Sequence, residues 1–309
     1  MRAVYHRAPA PHAGWKIQRL GRTADAPGPP GCLDYDVPHG FWAWQLLLAM
    51  ALNGFVQALA IAAYAARLAG ARSGRVATAI SLFYIFGTSS RFAQIFYMPL
   101  LGSLSDRAPA ASLGTYEWQL RAIVFAGTVG TVVGALAMPT FVRLYLRAIR
   151  ALERRGSVPK AMLGMLRPAT ALAVLRDVDL RVLPRIRALS FKHVPKDVLV
   201  LNTVVSAVYA IGIVAAAYAS VLDPQAARTA VLSSGFVNGG ATIAYNIIVD
   251  PATALYADHA ARGERSIADV KALVAGLAVT AVVGFVVSQA LLVPGAYLIA
   301  WIARLIVAR

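Results

Sequence analysis

The chain has a single cysteine, Cys32, in 309 residues, so it cannot form an intramolecular disulfide, and no His/Cys group has the spacing of metal ligands. Neither redox chemistry nor zinc is supported, and no cofactor is expected. Charge is scarce as well: Asp, Glu, Lys and Arg make up 14% of residues, against about 25% in a typical soluble domain. The acids are the scarcer sign, 14 against 30 bases. There is no phosphate-cradling glycine loop ending in Lys-Ser or Lys-Thr, which excludes an internal ATPase of that type. Residues 1–40 contain GRTADAPGPPGC and no apolar run of signal-peptide type, so they read as a disordered tail.

What the chain has in excess is apolar surface. Hydrophobic residues make up 59% of it and the mean hydropathy is +0.62. A hydrocarbon core about 30 Å thick takes about 20 apolar helical residues per crossing. Six stretches have that length: Phe41 to Ala66, Val76 to Leu101, Trp118 to Leu144, Val198 to Leu222, Thr229 to Thr253 and Val270 to Val293. Each far exceeds the roughly ten alternating residues of a barrel strand. The expected fold is an all-α polytopic membrane protein, with residues 41–309 as one transmembrane transport domain. The segment after Pro294 is too short for its own crossing and is expected either to lie in the interface or to prolong the last helix.

Basic residues set the expected orientation. The first connection carries Arg67, Arg72 and Arg75 without an acid, whereas the second carries Asp106, Arg107 and Glu117. The third, from Arg143 to Lys196, holds thirteen Lys and Arg against Glu153, Asp177 and Asp179, a net +10 of the chain's +16. By the positive-inside rule the first and third connections face the cytoplasm, and both termini lie outside. The basic loop, residues 145–197, contains AMLGMLRP and VLRDVDLRVLPRIRALSF, which fit amphipathic helices lying on anionic lipids. The expected partner of that charge is therefore the membrane surface and not nucleic acid.

Polar residues recur inside the spans. Tyr84, Thr88, Arg91 and Gln94 follow spacings of four and three and share a helical face, while Ser234, Asn238, Thr242, Asn246 and Asp250 follow spacings of four. Asn53, Gln57 and Tyr64 add to this from the first span, and Asn202, Ser206 and Tyr209 from the fourth. An arginine in mid-bilayer costs about 2.5–3.5 kcal/mol on insertion scales, so Arg91 needs a partner or a task. One reading pairs it with Asp250; the other has it line a wet cavity. Amides such as Asn202 also serve as plain interhelical hydrogen bonds, and Gly127, Gly130, Gly134, Gly235 and Gly239 as close-packing contacts. A cavity of arginine, amides and tyrosines suits a hydroxyl-rich anion, a phosphate or a sugar. The loop residues His193, Asp258 and His259 form no acid–base motif, so no enzymatic reaction is assigned.

ARLAGARSGRVATAISLF (66–83), SSRFAQIFYMPLLGS (89–103) and NIIVDP (246–251), in that order within six spans, resemble the Amj family of lipid II flippases. The resemblance implies transport of the undecaprenyl-pyrophosphate-linked peptidoglycan precursor from the inner to the outer leaflet of the bacterial cytoplasmic membrane, as an alternative to MurJ. On that reading Arg91 holds the pyrophosphate with Thr88 and Gln94 beside it. Asn238, Thr242 and Asn246 accept sugar or peptide, Asn53, Gln57 and Asp250 complete the substrate path, and Arg67, Arg72 and Arg75 capture the anion before entry. Two arrangements fit a six-helix bundle: a path open to lipid along one side, or one shared between two protomers of a homodimer. Rival readings are a transporter of the recycled polyprenyl-phosphate carrier and a non-transporting scaffold of cell-wall synthesis.

Overall fold

A computed structural model describes residues 39–106, 113–155 and 188–308, together with 108, 184 and 186. The tail, most of the basic loop, the first amphipathic segment expected in it and most of the second lie outside the described residues. Every regular element described is helical: α1 (His39–Ser73), α2 (Val76–Asp106), α3 (Leu113–Leu136), α4 (Met138–Arg155), α5 (Lys196–Leu222), α6 (Ala227–Leu232), α7 (Ser234–Ala244), a π turn (Tyr245–Val249), α8 (Asp250–Ala261) and α9 (Ile267–Val307). The protein is an all-α polytopic membrane protein.

Within α1, Trp44–Ser73 is long and apolar enough to cross a bilayer, as are α3, α5 and α9. The stretches expected to cross near 76–101 and 229–253 are not among these four. The first is α2, a continuous helix of 31 residues that carries a Ser, Thr, Arg and Gln face. The second stretch is divided among α6, α7, the π turn and α8. Pro251 accounts for the π turn: it has no N–H to donate, and its ring crowds the carbonyl four residues back, so the helix widens just before it.

Boundaries elsewhere follow local chemistry. Helix α1 runs through Arg67 and Arg72 and stops at Gly74, whose φ of 68° is open to glycine, with the Arg75 amide donating back to the Gly70 carbonyl at 3.2 Å. The third expected span ends at Leu136, and the chain restarts as the strongly amphipathic α4. Ser266 caps α9 by accepting from the Ala268 amide at 3.0 Å. That helix then continues through Pro294 for 41 residues, about 60 Å at 1.5 Å per residue. The segment after Pro294 therefore prolongs the last helix.

Close packing joins α1 to α3. A Cβ on Gly130 would strike the Gly54 backbone, and one on Gly134 would stand 2.7 Å from the Ala58 carbonyl. Gly235 and Gly239 behave otherwise: a Cβ at either meets nothing within 4 Å, so the contact expected of them is absent and they lie on the open side of α7. At the far end of α9, Arg304 Nε donates to Asp223 Oδ2 at 2.5 Å, tying α9 to the end of α5.

The apolar core is in two parts. One cluster contains Leu82, Tyr145, Leu273 and Leu277, the other Leu101, Leu120, Leu292 and Ile299. On α1, Asn53 and Gln57 fall between Ala49 of the second cluster and Leu59 of the first; on α2, Ser90, Arg91 and Gln94 fall between Leu82 and Tyr97. The fold therefore holds a polar layer between two apolar ones.

Candidate functional site

The polar layer begins as a set of ties between helices. Asn53 Nδ2 donates to the Ile123 carbonyl at 2.8 Å and Gln57 Nε2 to Asn53 Oδ1 at 3.2 Å. Asn202 accepts from the Tyr64 hydroxyl at 3.0 Å and donates to the Leu277 carbonyl and Thr280 Oγ1, at 3.0 and 2.9 Å, which makes it the interhelical hydrogen-bonding residue the sequence suggested. Gln94 Nε2 donates to the Tyr209 hydroxyl at 3.1 Å. Satisfied amides of this kind hold helices at fixed separations where apolar lipid offers no association force.

Between these ties lies a cavity of about 310 Å³. Gln57 and Tyr64 line it from α1, Tyr84, Thr88 and Arg91 from α2, Ser206 and Tyr209 from α5, and Thr242, Tyr245 and Asn246 from α7 and the π turn. Of the residues expected at the substrate path, Arg91, Thr88, Gln57, Thr242 and Asn246 thus share one space. Tyr84, Thr88, Arg91 and Asn246 are exposed, and this puts the mouth of the cavity between α2 and the α7–π segment. Gln94 and Asn53 adjoin it and, with Tyr97 and Tyr209, line a void of only about 10 Å³.

Asn238 and Asp250 go elsewhere. Asn238 occupies the notch left by Gly212 on α5, with its Oδ1 buried and without a hydrogen-bond partner among the described residues. A spacing of four keeps one face only while the helix is regular, and the π turn between Thr242 and Asp250 rotates the chain off that register. Asp250 thereby meets Arg67.

That pairing is the most buried charge interaction described. The Arg67 side chain is 2% exposed; its Nη2 donates to Asp250 Oδ1, its Nε donates to Thr253 Oγ1 at 3.3 Å, and its guanidinium carbon stands 4.3 Å from the centroid of the Phe83 ring. Nη1 is buried without a partner among the described residues. Tyr64 and Tyr245 stack beside it with ring centroids 6.5 Å apart, and both also line the cavity. The arginine expected to capture an anion in the first connection is therefore inside the bundle, matched to the carboxylate once offered as a partner for Arg91. Of its two neighbours, Arg75 pairs with Glu153 at 2.8 Å, and Arg72 is exposed. Phe83 escaped the sequence reading because a phenylalanine in an apolar span carries no mark of a cation partner.

Among the described residues no three His, Cys, Asp or Glu side chains gather to hold a metal. What the arrangement offers is one exposed guanidinium beside hydroxyls and amides, next to an internally neutralised charge pair. Guanidinium, hydroxyl and amide groups are the donors by which proteins recognise anions, through charge and hydrogen bonds.

These features define a helical membrane protein with a partly open polar cavity among its helices. The family profile described as "Amj: Alternate to MurJ" matches residues 52–303. The protein named "Lipid II flippase Amj" from Bacillus subtilis (strain 168) is 33% identical over 267 residues, covering 84% of this chain and 97% of that protein. The chain belongs to the Amj family. No solved structure matches it.

Proposed function

We propose that this protein moves lipid II, the polyprenyl-pyrophosphate-linked precursor of peptidoglycan, from the inner to the outer leaflet of the bacterial cytoplasmic membrane. The reading rests on its likeness, over nearly the full length, to a relative named as a lipid II flippase. The observation within the fold that supports it most is the cavity where Arg91, Thr88, Thr242, Asn246 and Gln57 face one space between two apolar clusters.

In this proposal the pyrophosphate pairs with Arg91, and hydroxyls and amides replace the hydration of the sugar. The mouth between α2 and the α7–π segment lets the prenyl chain stay in lipid, which favours a laterally open path over one shared between protomers. A cavity of 310 Å³ lies at the low end of ligand pockets, about 300–1,000 Å³, so passage of the whole head group requires α2 and α7 to move apart. The glycines on the open side of α7 leave room for that movement. The first connection faces the cytoplasm and both termini lie outside. With the inside negative, each negative charge moved outward gains about 2.3 kcal/mol per 100 mV, so a doubly charged head group needs no nucleotide to move. The process is transport and makes or breaks no covalent bond.

The test is outer-leaflet exposure of lipid II, read by a membrane-impermeant probe, in bacteria whose own flippase is switched off. Restored exposure with this protein, lost in a stably expressed Arg91→Ala variant, is the expected result. Unrestored exposure, with the protein present and folded in the membrane, overturns lipid II as the substrate.

A further inference from the structure

A second cavity lies apart from the polar one. A groove of about 720 Å³ runs between α1, the α3–α4 corner, α9 and Ile186 and Leu189 of the basic loop, and among the described residues it shares no lining residue with the cavity that holds Arg91. Its walls are apolar, with Leu68, Val132, Val279, Val282 and Val283 among them, and Val132, Val279 and Val283 are exposed. Three cations also line it, each from a different helix: Arg72 near the end of α1, Arg143 on α4 and Lys271 in the first turns of α9. Arg143 is steadied by donating from Nη2 to Thr140 Oγ1 at 2.9 Å. Among the described lining residues there is no Asp or Glu.

The order of residues along the helices gives the groove a polarity. On α9, Lys271 precedes Val283 by twelve positions, about 18 Å of helix. On α1, Arg72 lies one turn beyond Leu68 toward the helix end, and Arg143 follows the break at Ala137 that separates α4 from α3. The cations therefore collect at the end of the groove where α1 stops and α9 starts, and the apolar walls extend from there toward mid-bilayer. A charged head and a hydrocarbon body at that spacing describe a lipid standing in its own leaflet.

We propose that this groove is a binding site for an anionic glycerophospholipid, with its phosphate held by Arg72, Arg143 and Lys271 and its acyl chains against Val132, Val279 and Val283. Scattered basic residues at a membrane face attract anionic lipids in bulk, whereas three cations converging from three helices on the head of one apolar groove select a single molecule. The occupant is an ordinary bilayer lipid and not the transported one, because the groove shares no lining with the polar cavity where a sugar-bearing head group would be accommodated. A lipid seated there braces α4 against α1 and α9. The proposal does not depend on lipid II being the substrate.

The test uses the full chain purified from nanodiscs of phosphatidylcholine alone or with phosphatidylglycerol. Retained lipid is counted by native mass spectrometry and the thermal midpoint is measured in parallel. The wild type is expected to keep one phosphatidylglycerol and to melt at higher temperature when it is present. In the triple variant Arg72→Gln, Arg143→Gln, Lys271→Gln, retention should fall about 100-fold, at about fivefold per lost cation, and the midpoint should no longer respond. Val279→Trp, which fills the groove and leaves the cations intact, should also lose the lipid; if the triple variant does not fold, this variant alone decides. Equal retention of the two phospholipids by the wild type, or retention unchanged in folded variants, overturns the site. So does a polyprenyl pyrophosphate that displaces phosphatidylglycerol from the wild type.

Discussion

Arg67 of α1 and Asp250 of α8 lie 183 positions apart in the chain and form an ion pair inside the helix bundle, with Thr253 and the face of Phe83 completing the guanidinium's surroundings. Neither charge is tolerable alone at that depth. Taking one away strands the other, whereas taking both away removes the desolvation cost along with the attraction.

Arg67→Ala should therefore destabilise the detergent-solubilised protein by about 3–5 kcal/mol, seen as a lowered thermal midpoint. The double variant Arg67→Ala, Asp250→Ala should recover part of that loss. A single variant as stable as the wild type would show that the pair does not hold α1 to α8.

Arg91 should behave in the opposite way. It is exposed at the cavity mouth, and substitutions of such residues usually change stability by no more than about 0.5 kcal/mol. Arg91→Ala should keep its melting temperature while transport falls at least tenfold, and comparing the two readouts separates a binding residue from a structural one.

Glycine substitutions should divide by location. Gly130→Ala presses a Cβ into the Gly54 backbone and should cost about 1–3 kcal/mol as α1 and α3 are forced apart. Gly239→Ala meets nothing and gains helix propensity, so it should be neutral or stabilising by up to about 1 kcal/mol. If α7 must bend for passage, the same variant should slow transport, and an unchanged rate would count against movement there.

The hydrogen bond from Arg304 holds the Asp223 carboxyl below its ordinary value of 3.8. A depressed folded-state value means that the tie contributes fully above the ordinary carboxylate range and is lost only as pH falls through the lowered value. Wild type and Arg304→Gln should differ in thermal midpoint at pH 7, keep most of that difference to about pH 4, and converge below it. A gap that persists unchanged at pH 2 would assign Arg304 a packing role instead.

The helical class, the membrane and the place of the long apolar segments could be read from composition and run length, because a bilayer demands about 20 apolar residues per helical crossing whatever they pack against. The resemblance of three short motifs to one family was equally visible in the linear chain, and polar residues at helical spacings had marked Arg91, Thr88, Thr242, Asn246 and Gln57, which the fold gathers around one cavity.

The partner of Asp250 was not legible. Constant spacing put it on a stripe with Asn246, and only the π turn beside Pro251 rotates it away to Arg67. Arg67 itself looked like a loop residue until the helix was seen to run on to Ser73. The cation groove was hidden for a related reason: Arg72, Arg143 and Lys271 are each ordinary at the edge of a span. The sequence by itself determined that the chain is helical and belongs in a membrane, since that follows from the transfer of long apolar segments from water to lipid. Only the tertiary structure decided which charges face one another, because pairing depends on helix rotation and crossing, which are set by contacts between residues distant in the chain.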